Sequence, residues 1–240
     1  MITGIVVALP QELGTLTTQK VVKGQCIFLS DTLALAYSGA GADNAQAAAQ
    51  LLINQGATRL ISWGCAGALS ADLQSGDLVL ADTLITAEGE RIEVDADWHR
   101  HVKTVLEYKL KFALQCGSLL ESKILVATSH AKRQLYQQTN AVALDMESIA
   151  IAKVAVQHGL AFLAIRAIAD PVSMDLPKAV SHALNSQGDV ELGRLLRFLL
   201  THPSELTGLI KLGQQFGAAK RTLSVVAKQL EHLSPPNSHD

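Results

Sequence analysis

Short apolar runs bounded by Gly, Asp or Ser recur through the first 170 residues, and helix-like stretches separate them. The runs at 2–9, 26–29, 32–37, 60–63, 77–81, 123–127, 141–144 and 162–168 read as strands. Residues 44–55, 97–115, 132–139 and 146–158 read as helices, the last ending at Gly159. This alternation predicts an α/β domain of three layers, with a central mixed, twisted β-sheet flanked by helices. In such a domain the binding groups lie on the loops that leave the C-terminal ends of the strands. A length of 240 residues, 48% of them hydrophobic, fits one domain spanning 1–240.

Beyond Asp170 the texture changes. Asp170-Pro171 and Leu176-Pro177 break the chain, Asn185-Ser186-Gln187-Gly188 reads as a loop, and a helix is predicted over 190–200. His202-Pro203 then opens a helical extension over 203–233. In it Leu206, Leu209, Ile210, Phe216, Leu223, Val226 and Leu230 recur at helical spacing, interleaved with Lys211, Lys220, Arg221 and Lys228. The last residues, from Ser234, read as a frayed tail.

Composition excludes several partners. A net charge of −2 leaves no broad polyanion-binding face, and 4% aromatic residues leave little for stacking bases, so nucleic acid is not expected as a partner. The three cysteines, Cys26, Cys65 and Cys116, form no Cys-x-x-Cys pair, and no disulfide framework is expected. His99 and His101 lack a His-Glu-x-x-His context or clustered carboxylates, so neither a metal nor another resident cofactor is expected. No run of 18 apolar residues exists and the apolar start lacks a basic flank, which makes the cytoplasm the default location.

Four segments carry chemistry. Ser38-Gly39-Ala40-Gly41, followed by Asn44, joins a strand to a helix, where glycines admit a ligand close to the backbone and helix N–H groups favour an oxygen-rich group. A plain tight turn explains it equally well. Ser62 to Leu69 forms a second glycine-bearing segment, with Gly64, Cys65 and Gly67, and reads as a loop after a strand. Asp145-Met146-Glu147-Ser148 places two carboxylates at a strand-to-helix junction, where simple helix capping is the structural alternative. Asp170 ends an otherwise buried strand, where desolvation raises a carboxyl pKa and fits it to donate a proton. Arg166, inside that strand, reads as a structural ion-pair partner. No P-loop motif is present.

In their order, these segments resemble the superfamily of purine nucleoside phosphorylases and 5′-methylthioadenosine/S-adenosylhomocysteine nucleosidases. The resemblance runs from a first strand ending before Glu12, through Ser38-Gly39-Ala40-Gly41, Gly64-Cys65-Ala66-Gly67 and Asp145-Met146-Glu147-Ser148, to Arg166-Ala167-Ile168-Ala169-Asp170. Within it the chain is most similar to the hopanoid-associated nucleoside phosphorylases. The resemblance implies a nucleoside phosphorylase-like fold, a homodimer, and cleavage of the N-glycosidic bond of a 5′-substituted adenosine such as adenosylhopane, releasing adenine. It implies Asp170 as the group at purine N7, Glu147 on the ribose hydroxyls and Met146 against the nucleoside. Ser38, Gly39, Gly41, Gly64 and Cys65 are then expected around the substrate.

Glu12 bears on the nucleophile. It matches the nucleosidase position that orients an attacking water, and no arginine follows it in Leu13-Gly14-Thr15-Leu16. A carboxylate there repels phosphate unless basic groups offset it. The branch resemblance puts phosphorolysis first, with phosphate as co-substrate; hydrolysis is the alternative, and a catalytically silent nucleoside-binding protein a third. The segment 127–131 lacks an aromatic residue, so base recognition is expected to lean on backbone groups and Asp170. The basic, apolar stripe of 204–233 has two readings: packing on protein, or peripheral contact with anionic lipid at the inner face of the membrane.

Overall fold

The computed structural model describes residues 1–109, 114–183, 197–199 and 201–234. In chain order the elements are β1 (Ile2–Val7), α1 (Pro10–Leu13), β2 (Gln25–Ser30), β3 (Leu33–Tyr37), α2 (Ala42–Asn54), β4 (Ala57–Ala68), β5 (Leu78–Ile85), β6 (Arg91–Glu93), α3 (Ala96–Lys109) and β7 (Leu114–Glu121). Then follow α4 (Ser129–Thr139), β8 (Ala143–Asp145), α5 (Ser148–Gln157), β9 (Ala161–Asp170), α6 (Lys178–Ala183), α7 (Glu205–Ala227) and α8 (Leu230–Leu233). Most of the helix expected over 190–200, and the loop before it, lie outside the described residues.

The strands form one mixed sheet flanked by helices, as the alternation predicts. Strand β4 is its axis. It pairs in parallel with β1 on one side and with β9 on the other, and its last residues pair antiparallel with β8. Because β9 also pairs β5, β5 pairs β7 and β7 pairs β8, the five strands β4, β9, β5, β7 and β8 close into a circuit. Leu60, Ile61, Trp63, Leu163, Ala164 and Ile165 on the two longest strands are fully buried, as expected of strands covered on both faces. Helices α2 and α5 pack beside each other, and α7 lies along β9.

Three elements depart from the sequence expectations. Residues 123–127 form no strand; the strand in this region is β7, and the helix expected to reach 115 is described only to Lys109. Cys116, Gly117 and Ser118 are weak helix formers, and pairing with β5 holds them extended, while β8 pairs the residues that follow, Leu119 to Glu121. Ile124, by contrast, is 73% exposed and has no edge to pair with. The second glycine segment is not a loop, since β4 continues straight through Gly64 to Ala68. Finally, α1 and the short strand β6 carried too few residues to show a period.

Candidate functional site

Strands β1, β3, β4 and β9 run parallel, and their C-terminal ends gather the candidate residues in one place. Glu12 arrives on α1, a single turn with Pro10 at its first position, where the fixed φ of proline suits a helix start. Trp63, fully buried on β4, fixes that turn: its indole N–H donates to Thr15 Oγ1 at 3.0 Å, and Thr15 donates to the Glu12 carbonyl at 2.6 Å. The Glu12 carboxyl is 3% exposed. Its Oε2 accepts from Leu9 N at 3.0 Å, closing the turn, and its Oε1 accepts from Cys65 N at 2.7 Å, tying the turn to β4.

Gly64 is the residue that lets this happen. A Cβ there would stand 2.5 Å from Arg166 Nη1 and 2.7 Å from Glu12 Oε1, so the two charged side chains both use space that only a glycine leaves open. Arg166 is held from below by a buried cluster. Its Nη2 lies 2.5 Å from Asp145 Oδ2, 2.5 Å from Ser62 Oγ and 2.9 Å from Ser148 Oγ, while Ser148 donates to Asp145 Oδ2 at 2.5 Å. The expectation of an ion pair for Arg166 is met, with Asp145 as its partner. Arg166 Nε has no hydrogen-bond partner among the described residues.

Around this one guanidinium stand three carboxyls. Burial raises the pKa of Glu12 against the pull of Arg166. Burial and the charge of Asp145 push Glu147 up to about 7. Burial, then Glu12, raises the Cys65 thiol well above its ordinary value, so it stays protonated. Asp145 and Glu147 exceed simple capping. Asp145 Oδ1 accepts from Ser148 N at 3.3 Å, the capping bond, but its other oxygen serves Arg166. Glu147 Oε1 accepts from Gly41 N at 3.0 Å, across 106 residues of sequence.

The first glycine turn needs its glycines. Gly39 and Gly41 have φ of 78° and 96°, in the left-handed region that a side chain disfavours. The Ser38 hydroxyl faces the backbone, 2.7 Å from the Gly39 carbonyl and 3.1 Å from that of Val7. The stem of Lys23 lies where a Cβ on Gly39 would go, a cation beside the turn with no motif to mark it in sequence. Met146 is half-buried where β8 passes into α5.

Asp170 is the last residue of β9. There the register with β4 slips by one residue, Ala66 facing Ile168 but Gly67 facing Asp170, and such bulges re-aim side chains beside active sites. Asp170 Oδ2 lies 3.6 Å from where a Cβ of Gly67 would be, and Oδ1 accepts from Lys132 Nζ at 2.6 Å. Burial raises the Asp170 pKa, and Lys132 opposes the rise. Among the described residues no group of three or more His, Cys, Asp or Glu is placed to hold a metal ion.

The phosphorylase superfamily model matches residues 3–193. The chain belongs to the phosphorylase superfamily. It is an enzyme of the nucleoside phosphorylase and nucleosidase kind, acting on an N-glycosidic bond. A relative in Marinomonas sp. (strain MWYL1), a 5′-methylthioadenosine/S-adenosylhomocysteine nucleosidase, is 26% identical over 65% of this chain and 76% of its own length. Among solved structures, the 5′-methylthioadenosine/S-adenosylhomocysteine nucleosidase of Neisseria meningitidis, in complex with methylthio-immucillin-A, superposes with a TM-score of 0.71. The two are 19% identical, over 96% of this chain and 98% of that one. The futalosine hydrolase of Helicobacter pylori superposes at 0.68, with 18% identity over 96% of each chain. At these identities the likeness shows the superfamily fold.

The residue that sequence reasoning missed in this superfamily member is Lys132. It opens the stretch 132–139, which reads only as a helix, and lysine is almost never fully buried unless paired. Its partner Asp170 lies 38 positions further along the chain, and no local pattern signals the pair.

Proposed function

We propose that the chain hydrolyses the N-glycosidic bond of a 5′-substituted adenosine and releases adenine. One observation carries the choice of water over phosphate: the buried Glu12 carboxyl takes the Cys65 N–H, a backbone donor of the second glycine segment that would otherwise be open to a phosphate oxygen. It does so within a group of three carboxyls and one guanidinium, and a phosphate dianion brought there adds like charge at low dielectric. Water meets no such cost. The branch resemblance put phosphorolysis first; this geometry supports the hydrolytic alternative.

In the proposed reaction, the bond from ribose C1′ to purine N9 breaks with its electron pair moving into the base, and Asp170 gives a proton to N7. Water adds to C1′ and passes a proton to Glu12, which returns it to solvent while Asp170 takes one up. Glu147 and the Gly41 turn meet the sugar, Met146 packs on the nucleoside, and the nearby charge of Arg166 favours the carboxylate form of Glu12. The charge that develops on the ribose ring lies close to carboxylates, which is where transition-state stabilisation needs them.

Incubation of the protein with 5′-methylthioadenosine, adenosine and adenosylhopane, with and without phosphate, tests this. Free sugar and adenine at a rate independent of phosphate are expected. A sugar 1-phosphate would establish phosphorolysis instead, and binding without adenine release would leave the catalytically silent reading.

A further inference from the structure

Among the described residues, Lys132 is the most deeply buried charge outside the Arg166 cluster. Its residue is 0% exposed, and its ammonium is enclosed by three acceptors: Asp170 Oδ1 at 2.6 Å, the Met174 carbonyl at 2.9 Å and the Pro171 carbonyl at 3.3 Å. Three acceptors use the three N–H bonds of an ammonium, so none is left for a substrate. The segments carrying these groups are latched to each other. Asp175 Oδ1 accepts from Ser129 N at 2.6 Å, and Leu176 N donates to the Ala127 carbonyl at 2.7 Å. The start of α4 and the chain after β9 therefore form one rigid cradle around the Lys132 ammonium.

This cradle has a consequence for Asp170. Its side chain retains 15% exposure while that of Lys132 has 1%, and Oδ1 points at the buried ammonium. Oδ2 lies over Gly67 and receives no hydrogen bond among the described residues. We propose that Lys132 is a positioning residue for the chemical step: it clamps one oxygen of Asp170 so that the other, Oδ2, is held toward the leaving base in a single orientation. The proposal rests on Asp170 as the proton donor of the reaction above.

Two properties follow. A carboxyl fixed by a buried ammonium loses its rotamer freedom before substrate arrives, which lowers the entropic cost of reaching the reactive geometry. The ammonium also sets the acidity of the donor. The groups facing Asp170 are Lys132 on α4, which lowers its pKa, and Asp175 on the following loop, which raises it; Arg133 faces Asp175 in turn. Burial outweighs Lys132, so the Asp170 pKa stands above its ordinary value but below where burial alone would put it.

The full chain with Lys132→Gln and Lys132→Met tests this, alongside Asp170→Asn and each double variant. The rate of adenine release from the cleaved substrate is followed against pH. A donor must be protonated, so kcat/KM falls as pH rises through the Asp170 pKa. Removing the ammonium moves that alkaline limb upward by about 1–3 pH units, the reach of one close opposite charge. It lowers kcat about 10–100-fold at low pH with little change in KM, as expected when orientation rather than binding is lost. In the Asp170→Asn background, removing Lys132 changes nothing further, because a residue acting through another is silent once that other is gone.

An unmoved limb with an inactive Asp170→Asn enzyme overturns the positioning role while leaving the donor role standing. Full activity in Asp170→Asn overturns the donor role itself. If both Lys132 variants fail to give a cooperative melt and the accompanying Asp170→Asn does not restore it, the lysine is a purely structural ion and the proposal fails.

Discussion

At the scale of single residues, the site is set by which carboxyls are buried and what each is bonded to. Asp170→Asn keeps the shape and removes the proton, so it is expected to fold like the parent and to slow adenine release by about 10²–10⁴-fold, the usual contribution of a general acid. Single-turnover measurements with matched thermal melts check this. Glu147 makes a prediction about stability. Its folded pKa of about 7 lies above the ordinary 4.5, so the folded chain holds a proton that the unfolded chain has released between those values. Its contribution is therefore present in full below pH 4.5, is lost as pH rises to about 7, and changes no further above that. Glu147→Gln is expected to flatten the fall in urea-derived stability across that window. It will not abolish it, because Glu12 is shifted in the same direction. A slope identical in parent and variant refutes the assignment.

At the scale of elements, β4 shows what sequence patterns hide. The runs around it pointed correctly to a strand, but glycines at 64 and 67 look the same in a turn and in a strand that must admit neighbours. What distinguishes them is the neighbours: Arg166 from β9 and Glu12 from α1, both distant in sequence. Gly64→Ala puts a methyl within 2.5 Å of Arg166 Nη1 and 2.7 Å of Glu12 Oε1. It is expected to cost about 1–3 kcal/mol by overpacking and to reduce kcat far more than it raises KM, since the nucleophile's holder moves. A crystal structure of the variant with an unmoved Glu12 would contradict this. The first glycine turn was legible because positive φ is a property of the residue itself. The strand at 114–121 was not, because its pairing with β5 along its length and with β8 at its end outweighs local propensity.

At the scale of the whole molecule, the C-terminal stripe divides. Leu223, Val226, Leu230 and Leu233 are buried, Thr222 donates to the Gly76 carbonyl at 2.6 Å, and Trp98 Nε1 donates to the Leu233 carbonyl at 2.6 Å. Each buried aliphatic side chain there is worth about 1.5–3 kcal/mol, so a chain ending at Pro203 is expected to lose its cooperative melt. Leu206 and Ile210, at 52% and 54% exposed and beside Lys211, remain free of that packing. Contact with anionic lipid is therefore proposed for the start of α7, where these two large apolar side chains stand exposed. Flotation with phosphatidylglycerol vesicles is expected to weaken in the double variant Leu206→Ser, Ile210→Ser, and equal partitioning of parent and variant would remove the lipid reading. Among the described residues no helix is long and apolar enough to cross a membrane. The homodimer implied by the resemblance is proposed likewise, with sedimentation equilibrium as its check. By itself the sequence determined the α/β alternation and the glycine-bearing strand ends, because periodicity and glycine are local signals, and its resemblance to the superfamily singled out Glu12, Glu147 and Asp170 as the candidate carboxyls. Only the tertiary structure decided what those carboxyls are bonded to: Cys65 N, Gly41 N and the Lys132 ammonium. Each such partner comes from a distant part of the chain, and the acidity and aim of a buried carboxyl depend on partners.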